Sequence, residues 1–368
     1  MLKWLLLPLL LFATPKALHI TFHAGCADEI TALCKEFDIK LDTWLIPSLP
    51  NDFLTGNKNS RPYILSDEIA KKIFKAHKKT FNQYDLIITS DIAPLSRIFL
   101  QNHFEKPLLI WVCNRFDINA HRSGSKVFPD QNYYTVFNSA ANMPNVEVIG
   151  YTPYEKYYAE KYRNIHVITE TISPIGLSNS HNGLYKSSPT SIYKKSTVFI
   201  RDYFNEKRVG LPTILNKLNI KTYCGPYDGA SDIKNFKAMV HIPLVMSNLF
   251  LWENLSEGVV HFIPSKKFYA EQYKREFIFF DWTKSNHVVN NLSVEEIFTY
   301  CEWYREDLVP LFVFFDSYEE IPHLLETTDF AAKREAILLW HSRHKEETLE
   351  KWRKVFSRLL NREHYLSS

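Results

Sequence analysis

The chain has 368 residues, more than one hydrophobic core usually serves, so two domains of roughly 150 to 180 residues each are expected. Its hydrophobic fraction of 45% and charged fraction of 23% are those of a folded globular protein and exclude a disordered one. The net charge of +3 is small and the lysines are scattered along the chain, which indicates a solvated surface, so no nucleic-acid partner is expected.

The first 17 residues differ from the rest and predict a signal peptide or a short membrane anchor. Lys3 precedes the apolar run Trp4–Ala13, and the small residue Ala17 follows. The run is shorter than the about 20 residues that a transmembrane helix needs. We therefore expect a protein of the secretory pathway, or one associated with a membrane through its N-terminus, with placement on the cytoplasmic face as the alternative.

Residues 18–180 predict a first Rossmann-like domain. Strand Ala17–Phe22, a turn with His23 and Gly25, and helix Ala27–Glu36 form an opening βα unit. Ser66 predicts the N-cap of a basic amphipathic helix through Thr80. Further strands are predicted at Leu41–Ile46, Asp85–Thr89, Leu108–Cys113, Thr135–Phe137, Val146–Gly150 and His166–Ile168. Continuous apolar strands that alternate with helices indicate a parallel sheet covered on both faces.

A stretch rich in Ser, Asn, Pro and Gly, Ser173–Lys195, predicts the linker to a second domain at 190–330. That domain repeats the pattern, with strand Thr197–Ile200, helix Lys207–Leu218, strand Lys221–Cys224 and strand Val259–Ile263. A helix at 331–362 closes the chain. The five cysteines have no zinc-like spacing, so no metal site of thiolates is expected.

Chemistry-bearing residues follow the strands of the second domain in a fixed order. Arg201 ends one strand, and the pair Lys207-Arg208 begins the next helix. Further on, Ser247-Asn248 precedes a short helix with Glu253, and Gly258 ends that helix. The guanidinium of arginine binds phosphate through paired N–H donors, and the ammonium of lysine binds it through its charge. A carboxylate near the sheet edge suits ribose hydroxyls. The alternatives are surface cations for the basic residues and a solvated helix position for Glu253.

This order of residues along the strands and helices resembles that in the carboxyl-terminal donor domain of GT-B glycosyltransferases, especially the retaining families that use nucleotide sugars. The resemblance covers roughly residues 196–265 and rests on Arg201, Lys207, Glu253 and Gly258. It implies an α/β fold of two Rossmann-like domains that face each other across a cleft, with a C-terminal helical tail.

The resemblance also implies a sugar transfer from a nucleotide-sugar donor to a hydroxyl of a glycan, lipid or protein acceptor, with no metal or other cofactor. Arg201 and Lys207 would hold the diphosphate, Glu253 the ribose, and Ser247 and Asn248 would lie against the phosphate or sugar. Val245 departs from the pattern, because these families carry a glutamate at that position. The departure leaves the stereochemistry and the donor open.

In the first domain, candidate catalytic residues follow the strands at the same type of edge. His23 follows the first strand, Asp91 the strand Asp85–Thr89, and Arg115 and Asp117 follow Leu108–Cys113. A His or Asp placed there suits a general base for the acceptor hydroxyl. The alternatives are a turn-capping histidine for His23 and a local salt bridge for Arg115 with Asp117.

The usual signatures of serine hydrolases, zinc proteases and P-loop enzymes do not occur in the sequence. A second class of protein remains open: a secreted, two-lobed ligand-binding protein without catalytic activity. It also pairs Rossmann-like lobes around a cleft, and it explains the N-terminal signal directly.

Overall fold

A computed structural model describes residues 14–50, 65–114, 116, 130–177, 195–280 and 292–360. They form two parallel sheets with helices around them, as the two-domain α/β interpretation predicts. No helix in these ranges is long and apolar enough to cross a membrane.

The first sheet has six strands, and its order is β2-β1-β3-β4-β5-β6. The strands are β1 (Lys16–Thr21), β2 (Lys40–Leu45), β3 (Leu86–Asp91), β4 (Leu108–Val112), β5 (Val146–Gly150) and β6 (Glu170–Thr171). All pairs are parallel, and β3 and β4 are buried along their whole length. The strand order reverses direction between β1 and β3, and such a switch point is where open α/β sheets bind ligands.

In the described residues, the helices around this sheet are α1 (Ala24–Glu36), α2 (Asp67–Phe81), α3 (Arg97–Leu100), α4 (Gln131–Asn138) and α5 (Pro153–Arg163). Ser66 caps α2 as predicted, since its side chain accepts from the Ile69 amide. The predicted strand Thr135–Phe137 is wrong, because these residues belong to α4. The β-branched and aromatic composition of these residues favours a strand, but the Asp130 N-cap and the burial of Phe137 stabilise the helix instead.

The second sheet has five strands, in the order β11-β10-β9-β7-β8. The strands are β7 (Val198–Ile200), β8 (Thr222–Tyr223), β9 (Ala238–Val240), β10 (His261–Pro264) and β11 (Val313–Phe315), all parallel. Its helices are α6 (Phe204–Val209), α7 (Leu211–Lys217), α8 (Gly229–Ile233), α9 (Leu249–Ser256), α10 (Lys266–Lys274), α11 (Val294–Tyr300) and α12 (Ile321–Thr327). The order reverses between β7 and β9, so both sheets share one topology.

The closing helix α13 (Phe330–Leu360) has 31 residues, about 45 Å by its rise, and it contacts both domains. Near its start, Arg334 donates to backbone carbonyls of the second domain. Near its end, the buried Trp352 meets Trp111 of β4 edge to face, with ring centroids 5.7 Å apart. The predicted helical tail is therefore present, and it bridges the domains.

Residues 174–177, which lie in the predicted linker, are bound from three sides. Glu29 of α1 accepts from the amides of Ile175 (2.7 Å), Gly176 (3.2 Å) and Leu177 (2.7 Å). From α13, the Nε2 atoms of His341 and His344 donate to the carbonyls of Ile175 and Pro174. On the third side, the Gly176 backbone contacts that of Trp252 and Glu253 in α9. We call residues 174–177 the hinge segment.

The strand β1 begins inside the predicted signal segment. Lys16 and Ala17 pair with Lys40 and Leu41 of β2, and Ala17 is fully buried. β1 therefore starts two residues before the predicted domain boundary.

Candidate functional site

The carboxyl edges of the two sheets meet each other. Gly25, which follows β1, lies so close to Leu249 at the start of α9 that an added Cβ would be 2.7 Å from Leu249 Cδ1. The N-termini of α1 and α9 therefore lie side by side between the domains. Helix N-termini carry partial positive charge and unpaired amides, so this junction favours an anion.

On the first domain's side, His23 is the exposed N-cap residue of α1. Its ring lies against Cys26, and the hydrogen bond with that side chain, helped by the charges of Asp91 and Glu253, raises the pKa of His23 to about 9. Burial opposes the shift without cancelling it. The shift includes attraction to the Cys26 side chain, so a charged His23 pairs with a Cys26 thiolate instead of adding net positive charge.

Asp91 ends β3 on the other side of the first switch point. It is buried and has a φ of 74°, a conformation that non-glycine residues adopt mainly at strained, functional positions. Its carboxylate accepts from the Asn114 side chain, and its carbonyl accepts from the amides of Cys113 and Asn114. Asn114 was not predicted from the sequence, because no local pattern distinguishes it. Arg115 and Asp117 lie outside the described residues.

On the second domain's side, Arg201 follows β7 at the second switch point. Its guanidinium lies over two aromatic rings, 4.5 Å from the centroid of Tyr203 and 4.3 Å from that of Phe250. The side chain is half-buried, and within the described ranges its N–H groups make no hydrogen bond or ion pair. A planar cation that packs on aromatic rings keeps its N–H donors for a ligand.

The two other predicted cations have partners within the protein. Lys207 Nζ lies 3.0 Å from Asp202 Oδ2, in a pair that is more than half exposed on both sides. Such a pair is weak and exchanges readily for a ligand. Arg208 donates to the carbonyls of Glu276 and Phe277 and stacks on Phe279 at 3.8 Å. Since its donors are used by the backbone, we leave Arg208 out of the site proposed below.

The start of α6, between Arg201 and Lys207, is anchored by two buried side chains. Glu206 binds His241 Nδ1 at 2.7 Å and the Ile242 amide at 3.0 Å, just beyond β9. Asn205 donates to the carbonyls of Pro243 and Phe279. These anchors fix the turn that carries Arg201, and the sequence gives no periodic signal for them.

Ser247 and Asn248 precede α9, as predicted. Asn248 is its N-cap and accepts from the Leu251 amide at 2.9 Å. The Ser247 hydroxyl accepts from Trp252 Nε1 at 3.2 Å and hydrogen-bonds Glu302, a buried carboxylate that the sequence reasoning missed. Glu302 follows α11, and its amide donates to the Met246 carbonyl at 2.8 Å. It therefore lies beside Val245, where the glutamate of the resembled families is missing.

Glu253 lies on α9 at the domain junction and is half-buried. Its charge raises the pKa values of both His23 and Glu29, so it lies within electrostatic range of α1. The structure therefore brings His23, Asp91, Arg201, Ser247, Asn248 and Glu253 to the facing edges of the two sheets. The described part of the chain contains no group of three or more His, Cys, Asp or Glu residues arranged to hold a metal ion.

The fold and this junction define a two-domain α/β protein with paired Rossmann-like switch points. The sequence matches no family model and no curated protein. Among solved structures, UDP-N-acetylglucosamine 2-epimerase from Rickettsia bellii aligns over 94% of this chain and 99% of its own, with 10% identity and a TM-score of 0.39. Salmonella D-lactate dehydrogenase aligns over 91% and 95%, with 12% identity and a TM-score of 0.19. Similarity at this level assigns no activity to the chain.

Proposed function

We propose that the protein is a GT-B-type glycosyltransferase that takes a sugar from a nucleotide-sugar donor bound to the second domain. The observation that carries the proposal is Arg201, whose guanidinium packs over the rings of Tyr203 and Phe250 while its N–H groups bond no described group. A fixed, planar fork of donors matches the oxygens of a diphosphate.

Transfer of the sugar leaves negative charge on the nucleoside diphosphate, and preorganised cations stabilise that charge most strongly. Arg201 and the N-terminus of α9 supply positive potential from the second domain. On the first domain's side, the N-terminus of α1 adds to this potential. Lys207 joins them when the ligand replaces Asp202, its exposed partner.

The remaining roles follow the same geometry. Glu253 suits the ribose hydroxyls, and Ser247 and Asn248 line the start of α9 beside the phosphate. We assign Asp91, at the end of β3, as the base for the acceptor hydroxyl, with His23 beside it at the start of α1. The acceptor, a glycan, lipid or protein, would bind the first domain, and membrane contact would come from the apolar N-terminal residues.

Calorimetry with UDP and GDP tests the proposal. The parent should bind one of them, and Arg201→Ala should weaken that binding about 10- to 100-fold, the worth of one or two charge-assisted hydrogen bonds. Arg201→Lys should also weaken it, since lysine keeps the charge and loses the fork.

Arg343→Ala is the matched control, because it removes an exposed arginine from α13 and should leave the affinity unchanged. A folded parent that binds neither nucleotide would overturn the proposal and favour the two-lobed binding protein. Unchanged affinity in Arg201→Ala would overturn the diphosphate assignment.

A further inference from the structure

Two thiols meet at the carboxyl edge of the first sheet. Cys26 lies in the first turn of α1, and Cys113 directly follows β4. Their side chains hydrogen-bond each other, and the Cys113 amide donates to the Asp91 carbonyl at 3.1 Å. The fold therefore places the sulfur atoms of two cysteines from separate βα units in contact, which is the first requirement for a disulfide.

The two sulfur atoms differ in their tendency to lose a proton. The hydrogen bond with Cys113 lowers the pKa of Cys26, and the hydrogen bond and charge of His23 lower it further, against the opposing effects of burial and of Asp91. The N-terminus of α1 also favours a thiolate in its first turn. Burial raises the pKa of Cys113, and the hydrogen bond with Cys26 raises it further. Cys26 is therefore the thiolate of the pair, and Cys113 is its protonated partner.

All five cysteines of the chain lie in described residues, and the other three have different surroundings. Burial raises the pKa of Cys34 to about 12 and raises that of Cys301 as well. Cys224 is exposed, but its pKa is also raised, by partial burial first and then by neighbouring carboxylates. Because a thiolate reacts with oxidants much faster than a thiol, Cys26 should be the first of these cysteines to react.

We propose that Cys26 and Cys113 form a peroxide-sensitive oxidation site, in which Cys26 reacts with the peroxide and Cys113 closes a disulfide. In the first step, the Cys26 thiolate attacks one oxygen of hydrogen peroxide, the O–O bond breaks, and a sulfenic acid and hydroxide form. In the second step, the Cys113 sulfur attacks the Cys26 sulfur, the S–O bond breaks, and water leaves with the Cys113 proton. The thiol pair loses two electrons, and one peroxide molecule is reduced.

The position of the pair suits a small oxidant. Cys26 is 3% exposed, but it lies directly behind the exposed residue His23, and Cys113 is half-buried. The disulfide would remove the thiolate charge beside His23 and Asp91, and it would tie α1 to the segment after β4. Neither step involves a nucleotide, so this inference is independent of the proposed function.

The test treats the reduced, full-length protein with an equimolar amount of hydrogen peroxide at neutral pH, followed by thiol titration and disulfide mapping by mass spectrometry. The parent should lose two of its five thiols, and the peptides that contain Cys26 and Cys113 should be linked. Dithiothreitol should restore both thiols. An unchanged thiol count, or a linked pair that lacks either residue, would overturn the proposal. Both measurements use the parent, so they do not depend on the folding of a variant.

Three variants assign the roles of the two sulfur atoms. Cys26→Ser should lose its thiols at least about tenfold more slowly, because the thiols that remain are protonated at neutral pH. Cys113→Ser should stop at the sulfenic acid on Cys26, which dimedone labels. Cys224→Ser removes an exposed cysteine as the matched control, and it should lose two thiols at the parent's rate. Parent-like thiol loss in Cys26→Ser, or no dimedone label in Cys113→Ser, would overturn the assignment of Cys26 as the sulfur that attacks the peroxide.

Discussion

Gly176 in the hinge segment is the position where a single added methyl group should disturb the junction most. It has a φ of +77°, and a Cβ there would lie 2.4 Å from the carbonyl carbon and oxygen of Trp252 and 2.6 Å from the Glu253 amide nitrogen. These are backbone atoms of α9, so no side-chain rotation relieves the contact. The hinge segment must move away from α9 and strain its bonds to Glu29.

Gly210, between α6 and α7, is a matched control. Its φ is +68°, and an added Cβ would meet nothing within 4 Å. Gly210→Ala should cost only the left-handed backbone conformation, about 1 to 2 kcal/mol. Gly176→Ala should cost that and about 1 to 3 kcal/mol of overpacking, so about 2 to 5 kcal/mol altogether.

Differential scanning calorimetry of the two variants and the parent measures the difference. Each kcal/mol lowers the melting temperature by about 2 to 4 °C in a protein of this domain size, so Gly176→Ala should melt several degrees below Gly210→Ala. Equal shifts in both variants would refute the reasoning, because only the backbone conformation would then matter and the close approach of the hinge segment to α9 would be wrong.

Two further predictions concern the ends of the chain. Removal of residues 1–14 should leave the melting temperature unchanged, whereas removal of residues 1–17 should lower it by several degrees. The longer truncation removes Lys16, which bonds Asp85 through its backbone amide and its carbonyl, and Ala17, which is fully buried in β1. Equal melting temperatures of the two truncated proteins would contradict this. Trp352→Ala should cost about 3 to 5 kcal/mol in urea unfolding, because it opens a cavity beside Trp111, whereas Leu339→Ala on the same helix, at 60% exposed, should stay within about 0.5 kcal/mol. A small effect at Trp352 would show that α13 does not stabilise the first domain.

Local signals in the sequence predicted much of the fold. Ser66 caps its helix as expected, and Ser293 forms a full capping box with Glu296. These motifs succeed because their hydrogen bonds join residues three apart. The predicted helix Lys207–Leu218 is two helices instead, since Gly210 adopts a left-handed conformation and ends the first.

The candidate site was only partly predictable, since tertiary contacts complete it. Arg201 could be placed at a strand end, but the Phe250 ring that covers it comes from α9, far along the chain. Glu302 lies in a short 3-10 turn with no periodic pattern, and only its backbone bond to Met246 brings it to Ser247. Such pairings depend on how two sheets meet, which local patterns do not encode.

The hinge segment and α13 touch each other through His341 and His344, so the two connections between the domains run side by side. Adjacent connections act as a single pivot, and displacement in a rotation grows with distance from the pivot. Glu253 borders this pivot through its contact with Gly176, so it should stay nearly stationary relative to the first domain when the domains rotate apart. Opening would then widen the junction at its far side first, and a ligand held by Glu253 would stay bound by one end while the other end is released.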